Sequence, residues 1–485
     1  MKKFPGPTLS DYLSPRTTTR PMPNTSRTNR RDFLRASVAT SALFGCEAAL
    51  SSETTRASTG NRGKAKNVIF MVSDGMNHGA LSLARQFREL EGRGETLWTR
   101  LYRERPVVRA LAETFSANSC VTDSAAAASA WGGGQRVNNG SLNILPDGSQ
   151  VKTLHEKLAK SGRRTGLVTT ATVTHATPAG FAANMPSRSD EAEIAAQYLD
   201  RRVDVLLGGG RKFYSPELIG RYRAAGYSVV ESSGELAKIP ADSSEPLLGI
   251  FYEGHLPYSI DHLNVPDLRA AIPTLAEMTR AALQRLEGVP EGFFLMVEGA
   301  RIDHAGHAND AAASIHDQLA FDDAIGAVLE FLEREPDTLV VITTDHGCGG
   351  IQMNGINPTP GQGFAPGIYA ASSQAFEQIR GFNRSVEWMK QNGVNGLSGP
   401  PLGEALKLHT GLELSGEELK AAKGLKSTWT DLVATRTGID WTSGNHTGEL
   451  VEFCAFGPGS AVFPALIRND ETHDLVLQAM DLAGS

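Results

Sequence analysis

Short apolar runs alternate with longer segments of helical periodicity along the chain from residue 61 onward. Runs such as residues 67–73 and 339–344 are apolar almost throughout, rather than at every second position. This is typical of strands that are buried on both faces of a sheet. The alternation predicts an α/β fold in which residues 61–485 form a single large domain, with a central, mostly parallel twisted sheet flanked by helices on both faces.

Side chains that bind metals follow several of these apolar runs. A single acidic residue after a strand is usually a turn former or a helix cap. Here four runs end in this way, and the carboxyl ends of parallel strands meet at the edge of the sheet where α/β proteins bind their ligands. We therefore expect these side chains to converge and to hold metal ions. They are Asp74, His175, Glu298, Asp345 and His346.

A second cluster spans residues 298–307, in which Asp303 and His307 stand four positions apart. On a helix this spacing places both side chains on one face, and carboxylate and neutral imidazole both suit Zn²⁺. His304 is interpreted as a surface histidine or a support for the ligands. His446 precedes an apolar segment and could complete the ligand set at a strand edge, although such a histidine taken alone is more often structural.

The candidate nucleophile is Ser124, which follows Asp123 and precedes a run of alanines at 125–128. A polar residue before small helix formers predicts a helix N-terminus, where free backbone N–H groups and the helix dipole favour an anion. The ordinary interpretation is that Asp123 or Ser124 is only an N-cap. The alanine run favours a phosphate site, because small side chains would let a phosphate group and metal ions approach the helix end.

Charge is distributed unevenly along the 485 residues, whose formal net charge is −7. Residues 1–60 hold nine basic and four acidic residues, a net charge of +5, which leaves a net charge of −12 on the remainder. A body this acidic argues against nucleic acid as a standing partner. Only three cysteines lie beyond residue 60, so disulfides are not expected to be the framework of the fold.

Residues 1–60 are predicted to be an export leader and linker. The pattern at 30–35, paired arginines followed by Phe-Leu, precedes a weakly apolar segment at 36–46, as in twin-arginine signals. A disordered basic tail is the alternative. Export would place the protein in the periplasm or cell envelope. The sequence before Cys46 is similar to a lipoprotein cleavage box, so Cys46 is a candidate lipid anchor, and release after cleavage nearby is the alternative.

Six motifs taken together resemble the alkaline phosphatases in their order and approximate spacing. The resemblance spans roughly residues 64–465, and the set is far more specific than any single motif. The motifs are Asp74-Gly75-Met76, Thr122-Asp123-Ser124-Ala125-Ala126, His175-Ala176-Thr177-Pro178-Ala179, residues 298–307, Thr344-Asp345-His346 and His446-Thr447-Gly448.

This resemblance implies hydrolysis of phosphate monoesters at a site with two zinc ions and one magnesium ion. Ser124 would be the nucleophile that is transiently phosphorylated, and Arg188 would clamp the phosphate. Asp123, His175 and His304 would lie close to the substrate. The implied ligands are Asp303, His307 and His446 for the first zinc, Asp74, Asp345 and His346 for the second, and Asp74, Thr177 and Glu298 for magnesium.

The chain differs from one branch of this family at His175 and His304, where some members have Asp and Lys. It therefore resembles the His/His type, which leaves open whether the third site takes magnesium or zinc. Residues 355–440 exceed what the simplest members need and are expected to form an inserted lid or crown over the cleft. The oligomeric state stays open, with a homodimer as one alternative.

Other functions compete with this interpretation. A phosphodiesterase of the same superfamily is the nearest alternative, although an arginine at position 188 suits a terminal phosphate. A sulfatase is disfavoured because the chain has no Cys/Ser-x-Pro-x-Arg motif in this context. A non-catalytic phosphate- or metal-binding surface protein would have lost its nucleophile or ligands, whereas every motif position is filled.

Overall fold

A central ten-stranded sheet organises the part of the chain that the computed structural model describes, residues 61–240, 243–357 and 367–482. Its strands are β1 (Asn67–Val72), β2 (Val108–Ala112), β3 (Arg164–Thr172), β4 (Val205–Gly209), β5 (Ser228–Val230), β6 (Leu247–Ile250), β7 (Phe293–Glu298), β8 (Thr338–Thr343), β13 (Val451–Phe456) and β14 (Leu466–Ile467). Two short ladders lie outside it. They pair β9 (Gly347–Cys348) with β12 (His446–Thr447), and β10 (Gln352–Met353) with β11 (Ile439–Asp440).

The strand order in the large sheet is β14-β2-β13-β8-β1-β7-β3-β4-β6-β5. Seven adjacent strands, from β8 to β5, run parallel, and β13 runs antiparallel to both of its neighbours. Every residue of β1, β7 and β8 is buried, which explains their unbroken apolar character. The predicted mostly parallel α/β sheet is therefore confirmed.

Helices cover both faces of the sheet, and two hydrophobic clusters fill the layers between them. The helices are α1 (His78–Leu90), α2 (Leu97–Glu104), α3 (Ser124–Gly133), α4 (Leu154–Lys160), α5 (Ala176–Ala182), α6 (Glu191–Asp200), α7 (Pro216–Ala224), α8 (Ser233–Leu236), α9 (Ser259–Asn264), α10 (Pro266–Ala271), α11 (Leu275–Leu286), α12 (Arg301–Ala308), α13 (Ala311–Leu332), α14 (Ser372–Glu377), α15 (Val386–Gln391), α16 (Gly399–Thr410), α17 (Gly416–Ala421), α18 (Leu425–Thr437) and α19 (Glu471–Ala479).

Helix α3 is buried along its whole length, and its small residues have a packing role. A Cβ at Gly180 of α5 would lie 2.4 Å from the Cβ of Ala128, and one at Gly132 would lie 1.9 Å from the Gly180 carbonyl oxygen. The alanines and glycines therefore let α3 and α5 cross almost backbone to backbone. This is a different reason for the alanine run from the one that the sequence suggested.

The segment 355–440, which the sequence analysis predicts to be an insertion, is described at 355–357 and 367–440, where it forms helices α14 to α18. It is tied to the body of the fold by an ion pair between Glu387 and Arg301, and by the Trp429 indole N–H, which donates to the Asn309 carbonyl oxygen at 3.1 Å. Its role as a lid stays a prediction.

The leader, including Cys46, lies outside the described residues, so the twin-arginine signal and the lipid anchor stay predictions. Within the described ranges, no helix combines the length and apolar character that crossing a bilayer requires. The three cysteines there, Cys120, Cys348 and Cys454, are all free thiols.

Candidate active site

Four neighbouring strands of the parallel sheet deliver the core of the candidate site. Asp74 follows β1 by two residues, Glu298 is the last residue of β7, His175 follows β3, and Asp345 follows β8. These strands are adjacent in the order β8-β1-β7-β3, so their carboxyl ends bring the side chains together at one edge. The convergence expected from the sequence is present.

Asp303, His307 and His446 form a first group of metal-ligand side chains. Helix α12 places Asp303 and His307 on one face, and the β9–β12 ladder brings His446 to them. The His307 and His446 Nε2 atoms are 3.0 Å apart, and they lie 3.5 and 3.4 Å from the carboxylate oxygens of Asp303. Ligands about 2.0–2.1 Å from a tetrahedral zinc ion are separated by roughly 3.3 Å, so these distances fit one ion.

Second hydrogen bonds fix the tautomer of the neutral form of both imidazoles in this group. His307 Nδ1 donates to the Gly444 carbonyl oxygen and His446 Nδ1 to the Thr122 carbonyl oxygen, each at 2.8 Å. In its neutral form each ring therefore keeps its lone pair on Nε2, the atom that points into the group. Two lone pairs facing each other repel unless a cation lies between them.

A second group lies beside the candidate nucleophile. The Oγ of Ser124 is 3.3 Å from His346 Nε2, which is itself 3.0 Å from Asp345 Oδ2 and 3.9 Å from Asp74 Oδ1. Asp123 is the N-cap of α3, with Oδ1 accepting from the Ala126 N–H, while Ser124 is the first helical residue. The capping interpretation thus holds for Asp123 and leaves the Ser124 hydroxyl facing the second group.

The third group consists of Asp74, His175 and Glu298, whose ligand atoms lie within 4.8 Å of one another. Thr177 is buried nearby at the start of α5. Asp74 also lies in a group with Asp303 and His346, so it joins the second and third groups. The structure therefore places every residue that the resemblance assigned to metal ions within this one region.

The buried polar atoms of these groups show that they fit metal ions. Of the eighteen buried side-chain N and O atoms without a hydrogen-bond partner in the described residues, eight belong to this site. Unpaired buried oxygens are costly in an apolar interior, and cations can satisfy the six oxygens among these eight atoms. The eight atoms are Asp74 Oδ1 and Oδ2, His175 Nδ1, Thr177 Oγ1, Glu298 Oε1, Asp303 Oδ1, Asp345 Oδ2 and His346 Nδ1.

The pKa shifts of the carboxylates also indicate a site for cations. Burial, together with the charges of the neighbouring carboxylates, raises the pKa of Asp74 well above its ordinary value. Burial also raises the pKa of Glu298 to about 7. Although burial opposes its ionisation, Asp345 has a pKa below its ordinary range because the imidazolium of His346 lies beside it. The site has excess negative charge that protons offset in the absence of metal.

Arg188 lies beside the start of the helix that carries Ser124. Its Nη1 donates to Asp123 Oδ2 and its Nη2 to His175 Nε2, each at 3.0 Å. The guanidinium therefore lies across the start of α3, and its hydrogen bonds to Asp123 and His175 fix the orientation of its plane. This is the placement that a phosphate-binding arginine needs.

His255 is a site residue that the sequence analysis missed. Its ring centroid lies 4.5 Å from that of His304 and 5.4 Å from that of His175. Burial, followed by the charge of Arg301, lowers the pKa of His255 to about 4, and burial lowers those of His175 and His304 as well. The cluster is therefore neutral at pH 7. His255 lies in the loop after the short strand β6, too far beyond the end of that strand for the strand-end pattern to identify it.

Arg301 fixes the orientation of His304, which the sequence analysis treated as a support. The guanidinium donates to His304 Nδ1 at 2.8 Å, forms the ion pair with Glu387 and stacks 3.7 Å from the centroid of Tyr258. A buried cation thus stands beside the histidine cluster.

Cys348 is the second site residue that the sequence analysis missed. Its sulfur lies within 4.8 Å of the ligand atoms of Asp303, His307 and His446. The position of Cys348 two residues after His346 was the available signal, but a lone cysteine gives no indication of its partners.

A mostly parallel α/β sheet, a serine hydroxyl at the start of a buried helix and three groups of carboxylates and imidazoles beside it fit one class of protein, the metal-dependent hydrolases of phosphate esters. The alkaline phosphatase family model matches residues 65–482. The chain is 30% identical to alkaline phosphatase 4 of Bacillus subtilis (strain 168), over 92% of this chain and 95% of that protein. It is 33% identical to alkaline phosphatase 3 of the same organism, over 87% and 90%.

A solved structure agrees with these relatives. The crystal structure of Thermus thermophilus alkaline phosphatase superposes with a TM-score of 0.78 at 31% identity, over 89% of this chain and 96% of that one. The chain belongs to the alkaline phosphatase family. It is a phosphatase that hydrolyses phosphate monoesters, and the family is metal-dependent.

Proposed function

We propose that this phosphatase acts through a phosphoserine intermediate on Ser124, at a site for two zinc ions and one magnesium ion. The observation that carries the proposal is the pair of Nε2 atoms of His307 and His446, 3.0 Å apart with both lone pairs facing inward. This arrangement is unfavourable without a cation.

The residues fall into three ligand sets. Asp303, His307 and His446 would hold the first zinc; Asp74, Asp345 and His346 the second zinc; and Asp74, Thr177 and Glu298, with His175 beside them, the third ion. When bound, the ions would supply the positive charge that a phosphate dianion needs and would favour ionisation of the Ser124 hydroxyl.

Ser124 carries the covalent step. Its Oγ loses a proton to solvent and forms a bond to phosphorus, while the ester P–O bond breaks and the leaving oxygen takes a proton from water. Water then attacks phosphorus, the Oγ–P bond breaks, and Ser124 regains its proton as phosphate leaves. Because Ser124 is the first residue of α3, backbone N–H groups of the helix N-terminus favour the anion at this point.

Arg188 would bind the oxygens of the transferring group. Its fork is already oriented by Asp123 and His175, so little side-chain entropy is lost when phosphate arrives. A monoester has three non-bridging oxygens, two for the N–H groups of this fork and one left for the metal ions, whereas a diester has only the two that the fork would take. The arginine therefore supports monoesters as the preferred substrates.

The test uses Ser124→Ala with Ser82→Ala as the matched control, because Ser82 is exposed on α1 and away from the site. We expect Ser124→Ala to lose most turnover of an aryl phosphate, by about 10³-fold or more, with unchanged zinc and magnesium content. Acid quenching of the parent protein during turnover should trap one phosphoryl group on the peptide that contains Ser124.

Two results would contradict the proposal. Full turnover by Ser124→Ala would remove the nucleophile from its role. Purified parent protein that keeps its activity after exhaustive chelation, with no metal detected, would remove the metal site.

A further inference from the structure

We propose that the sulfur of Cys348 is a fourth protein ligand of the metal ion held by Asp303, His307 and His446. The inference rests on the proposed function, since it concerns the first metal position of that site. A soft thiolate ligand would join a set of imidazole and carboxylate ligands. The first metal position would then prefer soft divalent ions such as zinc over magnesium.

The β9–β12 ladder fixes Cys348 beside one ligand of the set. Cys348 lies directly opposite His446 in this antiparallel pair, so the two residues are register partners. Opposite residues of an antiparallel ladder project their side chains to the same face, about 4.5–5.5 Å apart at Cβ. The strand pairing that delivers His446 to the group therefore delivers Cys348 as well.

Gly306 fixes Cys348 from the other side. This glycine lies on α12 between Asp303 and His307, and a Cβ there would come within 2.9 Å of the Cys348 Cβ and 3.0 Å of its Sγ. The absence of a side chain at Gly306 lets the helix backbone rest on the cysteine. Cys348 is thus held between the two elements that carry the other ligands.

The four donor atoms of this group lie close together. The Cys348 sulfur, one oxygen of Asp303 and the ring nitrogens of His307 and His446 lie within 4.8 Å of one another. Asp303 is 4% exposed, and its Oδ1 has no hydrogen-bond partner, while the Cys348 thiol lies within hydrogen-bonding reach of the same carboxylate. Cysteine sulfur, imidazole and carboxylate are together a zinc-type set, which magnesium does not favour.

Coordination changes the protonation of the cysteine. The Sγ–H bond breaks, the sulfur forms a bond to the metal ion, and the proton leaves to solvent. Zinc sites that catalyse reactions can expand to five ligands, so four protein ligands leave a position for an oxygen of the substrate. We expect the thiolate to raise the affinity of the first position for soft divalent ions.

Cobalt(II) substitution tests the assignment without using activity. We expect the cobalt form of the parent protein to show a near-ultraviolet sulfur-to-cobalt charge-transfer band in addition to its visible bands. Cys348→Ser should lose this band while keeping visible bands, and Cys120→Ser, which changes an exposed thiol, should keep both. Competition with a chromophoric chelator should show that Cys348→Ser weakens zinc binding by about tenfold or more.

The outcomes separate this inference from the proposed function. Visible cobalt bands without a sulfur band in the parent protein would overturn the assignment of Cys348 and leave the proposed function intact. Failure of the parent protein to bind cobalt or zinc at all would overturn both. If Cys348→Ser does not fold, the triple variant Cys46→Ser/Cys120→Ser/Cys454→Ser decides the question, because Cys348 is then the one cysteine left in the chain.

Discussion

Arg188 Nη1 donates a hydrogen bond to Asp123 Oδ2 at 3.0 Å, across the start of the helix that begins at Ser124. The other oxygen of Asp123 accepts from the Ala126 N–H at 3.0 Å and caps the same helix. One carboxylate therefore caps the helix that carries the nucleophile and also orients the arginine beside it. The spacing between hydroxyl and guanidinium follows from local structure and does not depend on a bound anion.

We expect Arg188→Lys to lower kcat/KM for an aryl phosphate about tenfold to a hundredfold, mainly through KM. Lysine keeps the charge but cannot reproduce two parallel N–H bonds to one group. Steady-state kinetics and the inhibition constant for inorganic phosphate measure the effect. Arg280→Lys is the matched control, because Arg280 pairs with Glu330 on the surface. An inhibition constant equal to that of the control would contradict a phosphate-binding role.

Chelation should make the stability of the protein fall with pH, relative to that of the metal-loaded form, between pH 6.5 and 8. Without metal, the pKa of Glu298 is raised to about 7, so this group holds a proton at pH 6.5 that the unfolded chain has already lost. The stabilisation that this proton provides is lost as pH rises through 7, at about 1.4 kcal/mol per proton and pH unit. Asp74, whose pKa is also raised, acts in the same direction.

Urea unfolding of metal-loaded and chelated protein measures this effect as a gap between the two free energies of unfolding. The gap should widen from pH 6.5 to 8, because bound cations replace the protons. Below about pH 7.5 the buried neutral histidines act in the opposite direction in both forms, so the gap between the two forms is compared and not the slope of either one. Glu298→Gln should flatten the slope of the chelated protein, and a gap that is constant with pH would contradict the argument.

The sequence was sufficient for the sheet and for the strand-end ligands, because both follow from local patterns. Unbroken apolar runs identify doubly buried strands, and a parallel sheet gathers whatever follows them. Asp74 and Asp345 are far apart in sequence, yet both reach the site by this rule alone.

The remaining site residues depend on contacts that no local pattern encodes. Cys348 reaches the first group through its pairing with His446, and His255 reaches the histidine cluster from a loop beyond a short strand. The alanine run of α3 was recognised, but its cause lies in the crossing with α5, which is a tertiary contact. The histidine tautomers likewise depend on carbonyl groups elsewhere in the chain.

The crossing of α3 and α5 gives a third prediction. Gly180→Ala would place a methyl group 2.4 Å from the Ala128 Cβ, so the helices must move apart. We expect a loss of about 1–3 kcal/mol in the free energy of unfolding. The kcat should also fall about tenfold to a hundredfold, because Ser124 would shift relative to Thr177.

Gly220→Ala is the matched control for this substitution. Gly220 also lies inside a helix, α7, but a Cβ there meets nothing within 4 Å. Alanine at this position should raise the free energy of unfolding by about 0.5–1 kcal/mol and leave kcat unchanged. Equal effects of the two substitutions would show that the crossing does not constrain the nucleophile.

The ion pair between Glu387 and Arg301 gives the last prediction, which concerns the inserted segment. Arg301 is buried, and its guanidinium contacts both Glu387 and His304 Nδ1, each at 2.8 Å. Glu387→Gln removes the charge that holds Arg301 in place. Because Glu387 is partly exposed, we expect a modest loss of stability, about 1 kcal/mol or less, but a fall of about threefold to tenfold in kcat/KM as His304 loses its fixed orientation.

The matched control is Glu377→Gln, which breaks an exposed pair with Arg380 in the same inserted segment. Steady-state kinetics at several pH values distinguishes the two variants. In the parent protein, burial and then the charge of Arg301 lower the pKa of His304, and a His304 released from this contact can take up a proton. We expect the pH profile of Glu387→Gln alone to change on its acid side. Identical profiles for the two variants would mean that the segment from 367 to 440 supports the fold without influencing the site.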